Sequence, residues 1–109
     1  MSTVYDKAIA DIERYDSKAD MLLVKALSKT YALVMSKKDA SGVACSDQSE
    51  LKTVRENFLK KKLGLTQSDS KLDEAIADVC KQMSADRKKS RITVYYLLAK
   101  KFGKESIFI

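Results

Sequence analysis

The 109-residue chain contains no proline and only three glycines, and this scarcity limits the folds that are open to it. Tight turns between strands depend on both residues, so a protein built from short strands normally contains more of them. Apolar residues make up 45% of the chain and charged residues 33%, a composition typical of globular proteins. A chain of this length forms one hydrophobic core without a disulfide or a metal ion. The sequence therefore predicts an all-α fold, a compact bundle formed by residues 1–109 as a single domain.

Apolar residues at helical spacing predict about five helices joined by short loops. Their apolar stripes begin at Val4, Leu23, Leu51, Leu72 and Ile92. The candidate N-caps of the first four helices are Thr3, Ser17, Ser46 or Ser49, and Ser70. Gly64 ends the third helix, and we expect Leu65 to fold back onto Leu59 or Lys60 in a Schellman motif.

The fifth helix is predicted to lie at the centre of the bundle. Its apolar residues cover most of the circumference: Ile92, Val94, Tyr95, Tyr96, Leu97, Leu98, Ala99 and Phe102. A helix that is apolar on nearly all sides is normally surrounded by other helices. It begins either at about Asp86 or nearer Ser90, and it ends at Phe102. The tail Ile107–Ile109 is expected to pack at the edge of the bundle or to contact a second subunit.

The C-terminal half of the chain resembles a family of small bacterial proteins catalogued as domain of unknown function 2853. The residues that carry the likeness are LKTVRENFLKKKLGL at 51–65, LDEAI at 72–76 and YYLLAKKFGKES at 95–106. The likeness is most specific over residues 51–107. Family members usually have an Asn-Arg pair before the last helix, where this chain has Asp86 and Arg87, so a role of that Asn does not carry over. The resemblance implies a compact helical fold and an origin in the bacterial cytosol, and it brings no catalytic residue, cofactor or substrate.

The chain lacks the residues that several kinds of catalysis and ligand binding normally use. The chain has no histidine, the commonest general base and zinc ligand, and its glycines form no phosphate-binding loop. Cys45 and Cys80 show no metal-binding spacing, so both thiols are expected to be free in a reducing cytoplasm, with Cys80 in the core. The longest apolar run, Val94 to Ala99, is far too short for a membrane span. We therefore predict a protein that is not an enzyme, with no cofactor, no metal and no membrane contact.

A cysteine and a cluster of acidic residues are the remaining candidates for a reactive site. Cys45 precedes a helix and is the better candidate for a reactive thiol, although no base accompanies it. Asp73, Glu74 and Asp78 lie on the outer face of the fourth helix, where acidic residues normally face solvent.

The net charge of +6 is concentrated in the second half of the chain. Residues 1–50 contain seven Lys or Arg and eight Asp or Glu, a net charge of −1, whereas residues 51–109 contain fourteen and seven, a net charge of +7. Lys60–Lys62 and Lys100, Lys101 and Lys104 lie in last turns of helices, where the helix dipole by itself favours cations. Such asymmetry indicates an anionic partner.

The candidate residues for binding this partner are Arg87, Lys88, Lys89, Arg91, Thr93, Tyr96, Lys100 and Lys104. The first three occupy a helix N-terminus, a site suited to anions, if the helix begins at Asp86; otherwise they belong to an ordinary solvated loop. Lys89, Thr93, Tyr96, Lys100 and Lys104 form one narrow outer stripe at helical spacing. The solvent-exposed edge of an otherwise buried helix shows the same pattern.

These residues favour a non-catalytic binding protein, a monomer or weak homodimer, whose partner is an acidic protein or another anion. The alternative is non-specific nucleic-acid binding, with the lysines on phosphates and Tyr96 against a base. A helix-turn-helix formed by the last two helices, with Arg87 to Arg91 opening the recognition helix, is a weaker hypothesis because its turn lacks glycine. A small enzyme that uses Cys45 is the third class.

Overall fold

The computed structural model describes residues 4–37, 41–86 and 89–108. Its α-helices are α1 (Val4–Ile12), α2 (Met21–Thr30), α3 (Ala32–Ser36), α4 (Gln48–Thr53), α5 (Asp69–Gln82) and α6 (Arg91–Lys101). A π-helical segment, Val54–Lys62, continues α4 directly, and a 3₁₀ turn covers Glu105–Ile107. Two short strands, β1 (Gly42–Val43) and β2 (Lys89–Ser90), form an antiparallel pair. The predicted all-α bundle is confirmed.

The helix starts differ from the predicted caps. Asp20 caps α2 by accepting a hydrogen bond from the Leu23 amide at 3.2 Å, and Ser68 caps α5 in the same way. Asp47 caps α4. The predictions of Ser17, Ser46 or Ser49, and Ser70 are therefore wrong by one to three residues, because several Ser and Asp residues stand close together at each start. Thr3 lies outside the described residues.

Helix α6 is the centre of the bundle, as its apolar circumference predicted. All its residues from Arg91 to Tyr96 are buried, and so are Leu98 and Ala99. Helices α1, α2 and α5 pack against it. Because α6 begins at Arg91 and not at Asp86, the later of the two predicted starts is right. The amide of Arg91 donates to the carbonyl oxygen of Ser41 at 2.8 Å, so the preceding residues pair with β1 instead of continuing the helix.

The π-helical segment supplies the aromatic centre of the core. Phe58 stacks on Tyr95 with ring centroids 3.9 Å apart, and Phe108 contacts the other side of the cluster at 6.3 Å from Phe58. The segment ends at Gly64, whose φ of 68° lies in the left-handed region. The amide of Leu65 then donates to the carbonyl oxygen of Leu59 at 3.1 Å, so Leu65 folds back onto Leu59 as predicted, in a Schellman motif one residue wider than the standard one.

The two cysteines form a disulfide across the molecule. Cys45, in the loop between β1 and α4, is bonded to Cys80 in the last turn of α5. The prediction of two free thiols is therefore wrong, and Cys80 is half-buried rather than a core thiol. A separation of 35 residues carries no signal of pairing, because folding alone brings the two together. In this disulfide-bonded form the sulfur of Cys45 is not available as a nucleophile.

Candidate anion-binding surface

Two of the five residues of the predicted stripe lie inside the protein. Thr93 and Tyr96 are fully buried, so the prediction of a solvent-facing stripe is wrong for these two residues, and the separate candidate Arg91 is only 8% exposed. Lys89 is half-buried, and its ammonium group donates to the carbonyl oxygen of Asp86 at 2.8 Å. Arg87 and Lys88 lie outside the described residues.

Arg91 is held by groups from three parts of the chain. Its guanidinium forms an ion pair with the carboxylate of Glu50 and donates to the Tyr95 hydroxyl at 2.9 Å and to the carbonyl oxygen of Gly42 at 3.3 Å. These contacts fix the start of α6 against α4 and β1. Because α6 begins at this buried arginine, the Arg91 side chain is not available to open a recognition helix.

Thr93 and Tyr96 meet aspartates from the first third of the chain. The Thr93 hydroxyl donates to Asp11, and the Tyr96 hydroxyl donates to the Asp16 carboxylate at 2.6 Å. Tyr96 also accepts a hydrogen bond from the amide of Asp20 at 2.9 Å. Burial, together with the bond to Asp16, raises the pKa of Tyr96 to about 12. These polar groups therefore serve packing between α1, α2 and α6, and the Tyr96 ring offers no face to a nucleic-acid base.

A third polar cluster joins the end of α1 to the residues after α5. Arg14 contacts the Asp86 carboxylate through both terminal nitrogens, at 2.7 and 3.1 Å, and Tyr15 donates to the same carboxylate. The hydrogen bonds from Arg14 and Tyr15 hold the pKa of Asp86 below its usual range. Burial, with the bond to Asp86, raises the pKa of Tyr15 to about 12.

Lys100 and Lys104 are the candidate residues that remain available near the surface. Lys100 has a side chain 39% exposed and lies 4.0 Å from Glu105, while Lys104 is half-buried and has no ion pair with a described carboxylate. Both belong to the end of α6 and the turn after it, where cations also stabilise the helix by about 0.3–1 kcal/mol each.

Two further lysines lie where the C-terminal segment packs on the π-helical segment. Lys61 and Lys62 are exposed and make no ion pair within the described part of the chain. The ammonium group of Lys62 lies 5.4 Å from the centre of the Phe108 ring, which brings the C-terminal segment to this end of the π-helix. We name Lys61, Lys62, Lys100 and Lys104 the lysine patch. Sequence reasoning assigned Lys61 and Lys62 only to the helix dipole, because packing through Phe108 is not visible in the sequence.

The neighbouring lysines are neutralised locally. Lys60 bridges Glu56 and Asp69, at 2.9 and 2.6 Å, and these carboxylates raise its pKa, with Asp69 the larger cause. Lys101 pairs with Asp78 at 3.4 Å. The lysine patch is thus distinguished from its surroundings by having Glu105 as its one close carboxylate among the described residues.

Two surface grooves flank α5, and both mix the two signs of charge. One, of about 240 Å³, lies beside Arg55 and Asp73, and the other, of about 470 Å³, lies beside Lys101 and Asp78. Asp73, Glu74 and Asp78 are exposed, as predicted. In the described ranges, no three Cys, Asp or Glu side chains gather into a set of metal ligands, and no helix has the length and apolar character to cross a membrane.

The central apolar helix and the buried polar contacts at its start define a small helical-bundle protein. The chain belongs to the family described as Protein of unknown function (DUF2853), whose model matches residues 7–106. This match confirms the resemblance of the C-terminal half and extends it over α1 to α4. No curated protein matches the chain.

Proposed function

We propose that the protein is a non-catalytic binding module that holds an acidic segment of a protein partner on the lysine patch. The observation that carries the proposal is that the C-terminal segment lies near both lysine-rich helix ends. Its Phe108 ring is 5.4 Å from the ammonium group of Lys62, and its Glu105 is 4.0 Å from Lys100. Three of the four patch lysines have no carboxylate partner among the described residues. Charges presented in this way are available to a partner and steer its approach.

Apolar groups beside the lysines favour a protein over a nucleic acid as the partner. Ile107 is 41% exposed, and the half-buried Phe108 ring lies under Lys62. A mixed surface of this kind suits a peptide that combines carboxylates with apolar side chains. Single-stranded nucleic acid is normally held by exposed aromatic rings as well as cations, and Tyr96, the ring expected in that role, is buried.

The test compares two variants that lose the same charge from different surfaces. The patch variant carries Lys61→Gln, Lys62→Gln, Lys100→Gln and Lys104→Gln. The control variant carries Lys7→Gln, Lys18→Gln, Lys25→Gln and Lys29→Gln, all at exposed positions in the first third of the chain. Circular dichroism establishes that both variants are folded. Fluorescence anisotropy then measures the binding of a glutamate-rich peptide and of a single-stranded oligonucleotide at low salt.

We expect the patch variant to bind the peptide about tenfold more weakly than the native protein, and the control variant to bind it within about twofold. Equal losses in the two variants would show attraction by net charge alone and would contradict the proposal. Tighter binding of the oligonucleotide than of the peptide, lost in the patch variant and falling steeply with salt, would establish the nucleic-acid alternative instead.

We further propose that the protein works in the bacterial cytoplasm. Two cysteines in 109 residues are not the dense framework of a small secreted domain. Disulfides in this compartment are usually transient, so Cys45 and Cys80 should be mainly reduced in growing cells. Alkylation of thiols during rapid lysis of the native host measures the reduced fraction. A fully oxidised pair would place the protein in an oxidising compartment.

A further inference from the structure

The segment that contains β1 and leads into α4 covers the start of the central helix. We name residues 41–47 the 41–47 loop. The carbonyl oxygens of Ser41 and Gly42 accept hydrogen bonds from the amide and the guanidinium of Arg91. The strand pair β1–β2 adds two residues on each side. The loop is also joined to other described residues by the amide of Ser41, which donates to the carbonyl oxygen of Lys37 at 2.9 Å, and by the bond between Cys45 and Cys80.

The 41–47 loop contributes little to the hydrophobic core. Val43 is its one buried side chain, at 2% exposed, whereas Ala44, Ser46 and Asp47 are exposed. Strand pairs of two residues are not stable by themselves. The covalent bond to α5 therefore contributes much of what keeps the 41–47 loop in place.

We infer that the Cys45–Cys80 disulfide is a site of thiol–disulfide exchange, and that its reduction releases the 41–47 loop from the start of α6. The co-reactant is a dithiol. One of its thiolates attacks one sulfur of the disulfide, forms a mixed disulfide and displaces the other cysteine as a thiolate. The second thiol of the reductant then attacks the mixed disulfide, leaving two cysteine thiols on the protein and a disulfide on the reductant.

The position of the bond suits reversible exchange. Cys45 and Cys80 are both half-buried, so neither residue is enclosed in the core. The chain contains no other cysteine, so reoxidation within one molecule has a single possible product. The inference concerns a different part of the molecule from the lysine patch and does not depend on the proposed function.

Hydrogen exchange at two amide groups distinguishes release of the 41–47 loop from unfolding of the whole protein. The amide of Arg91 donates to Ser41 and therefore reports contact between the 41–47 loop and α6. The amide of Leu65 donates to the buried Leu59 in the Schellman motif and reports the rest of the fold. Hydrogen exchange of both is measured by NMR in the oxidised protein, after reduction by dithiothreitol, and after reoxidation. The double variant Cys45→Ser/Cys80→Ser, with and without dithiothreitol, is the matched control.

After reduction we expect exchange at Arg91 to become at least about a hundredfold faster and to approach that of an unstructured peptide, while Leu65 keeps most of its protection. Reoxidation restores the slow exchange at Arg91. The double variant behaves like the reduced protein in both conditions. Unchanged exchange at Arg91, loss of protection at Leu65 to the same degree, or failure of reoxidation to restore Arg91 would each overturn the inference.

Discussion

Arg91 carries the same charge as the lysines of the patch, but its guanidinium lies among Glu50, Tyr95 and the carbonyl oxygen of Gly42. The side chain of Arg91 is 9% exposed and that of Glu50 24%. An ion pair withdrawn from water to this degree depends on both members, because a single charge left behind has lost its hydration without gaining a partner. Arg91 therefore serves the fold, whereas Lys61, Lys62 and Lys104 face solvent or lie near it.

Replacing Glu50 should accordingly cost much more than replacing another glutamate. We expect Glu50→Ala to lower the free energy of unfolding by about 2–4 kcal/mol, because it leaves the guanidinium of Arg91 without its carboxylate. Glu13→Ala, at an exposed position just after α1, should change it by less than about 0.5 kcal/mol. Urea denaturation at neutral pH measures both. Similar values for the two variants would show that the pair with Arg91 contributes little.

Because of Asp86, the free energy of unfolding should depend on pH below neutrality. The bonds from Arg14 and Tyr15 hold its pKa in the folded protein below that in the unfolded chain. Its contribution to the free energy of unfolding is therefore complete above the pKa of the unfolded chain, about 4. That contribution is lost as the pH falls through the lower pKa of the folded protein. Asp86→Asn should reduce the free energy of unfolding at pH 7, and the gap from the native protein should narrow in acid.

Urea denaturation of the native protein and of Asp86→Asn across this pH range measures that gap. Glu74→Gln, at an exposed position, provides the control and should show no comparable narrowing. A gap for Asp86→Asn that stays constant from neutral to strongly acidic pH would contradict the role of the carboxylate.

At the scale of the helices, the sequence predicted their presence better than their ends. The period of the apolar residues locates α1, α2, α5 and α6, since burial of one face or of the whole helix is what stabilises each. Their starts depend on which of several adjacent side chains reaches a free amide, and Asp20 does so where Ser17 was expected. Two-residue strands are too short to show alternation, so β1 and β2 left no pattern to detect.

The candidate site was harder to predict than the helices. Thr93 and Tyr96 occupy the polar positions that a surface stripe would use, yet each meets an aspartate from α1 or from the residues just after it. A sequence shows that a position is polar but not whether water or another side chain satisfies it. The sequence did not indicate Lys62 as a binding residue, because its place in the patch depends on Phe108, which is distant in the chain.

The end of the π-helical segment depends on a backbone conformation that glycine adopts readily. Gly64 has φ of 68°, and a Cβ built on it would meet nothing within 4 Å, so a substitution there is opposed by the backbone and not by crowding. We expect Gly64→Ala to lower the free energy of unfolding by about 1 kcal/mol. Gly64→Asn should cost less, because asparagine tolerates the left-handed region better than alanine. Thermal and urea denaturation measure both variants, and a cost for asparagine at least as large as for alanine would contradict this account.

For the molecule as a whole, stability should depend on how completely the other helices surround α6. Leu98 is fully buried in that helix, whereas Leu33, on the short helix α3, is 71% exposed. The same substitution at the two positions removes the same atoms from opposite environments. We expect Leu98→Ala to lower the free energy of unfolding by about 3 kcal/mol, because it removes apolar contacts and leaves a cavity, and Leu33→Ala to change it by less than about 0.5 kcal/mol. Urea denaturation at neutral pH measures the two values. A Leu98→Ala protein as stable as Leu33→Ala would mean that α6 is not enclosed by its neighbours, which would contradict its place at the centre of the bundle.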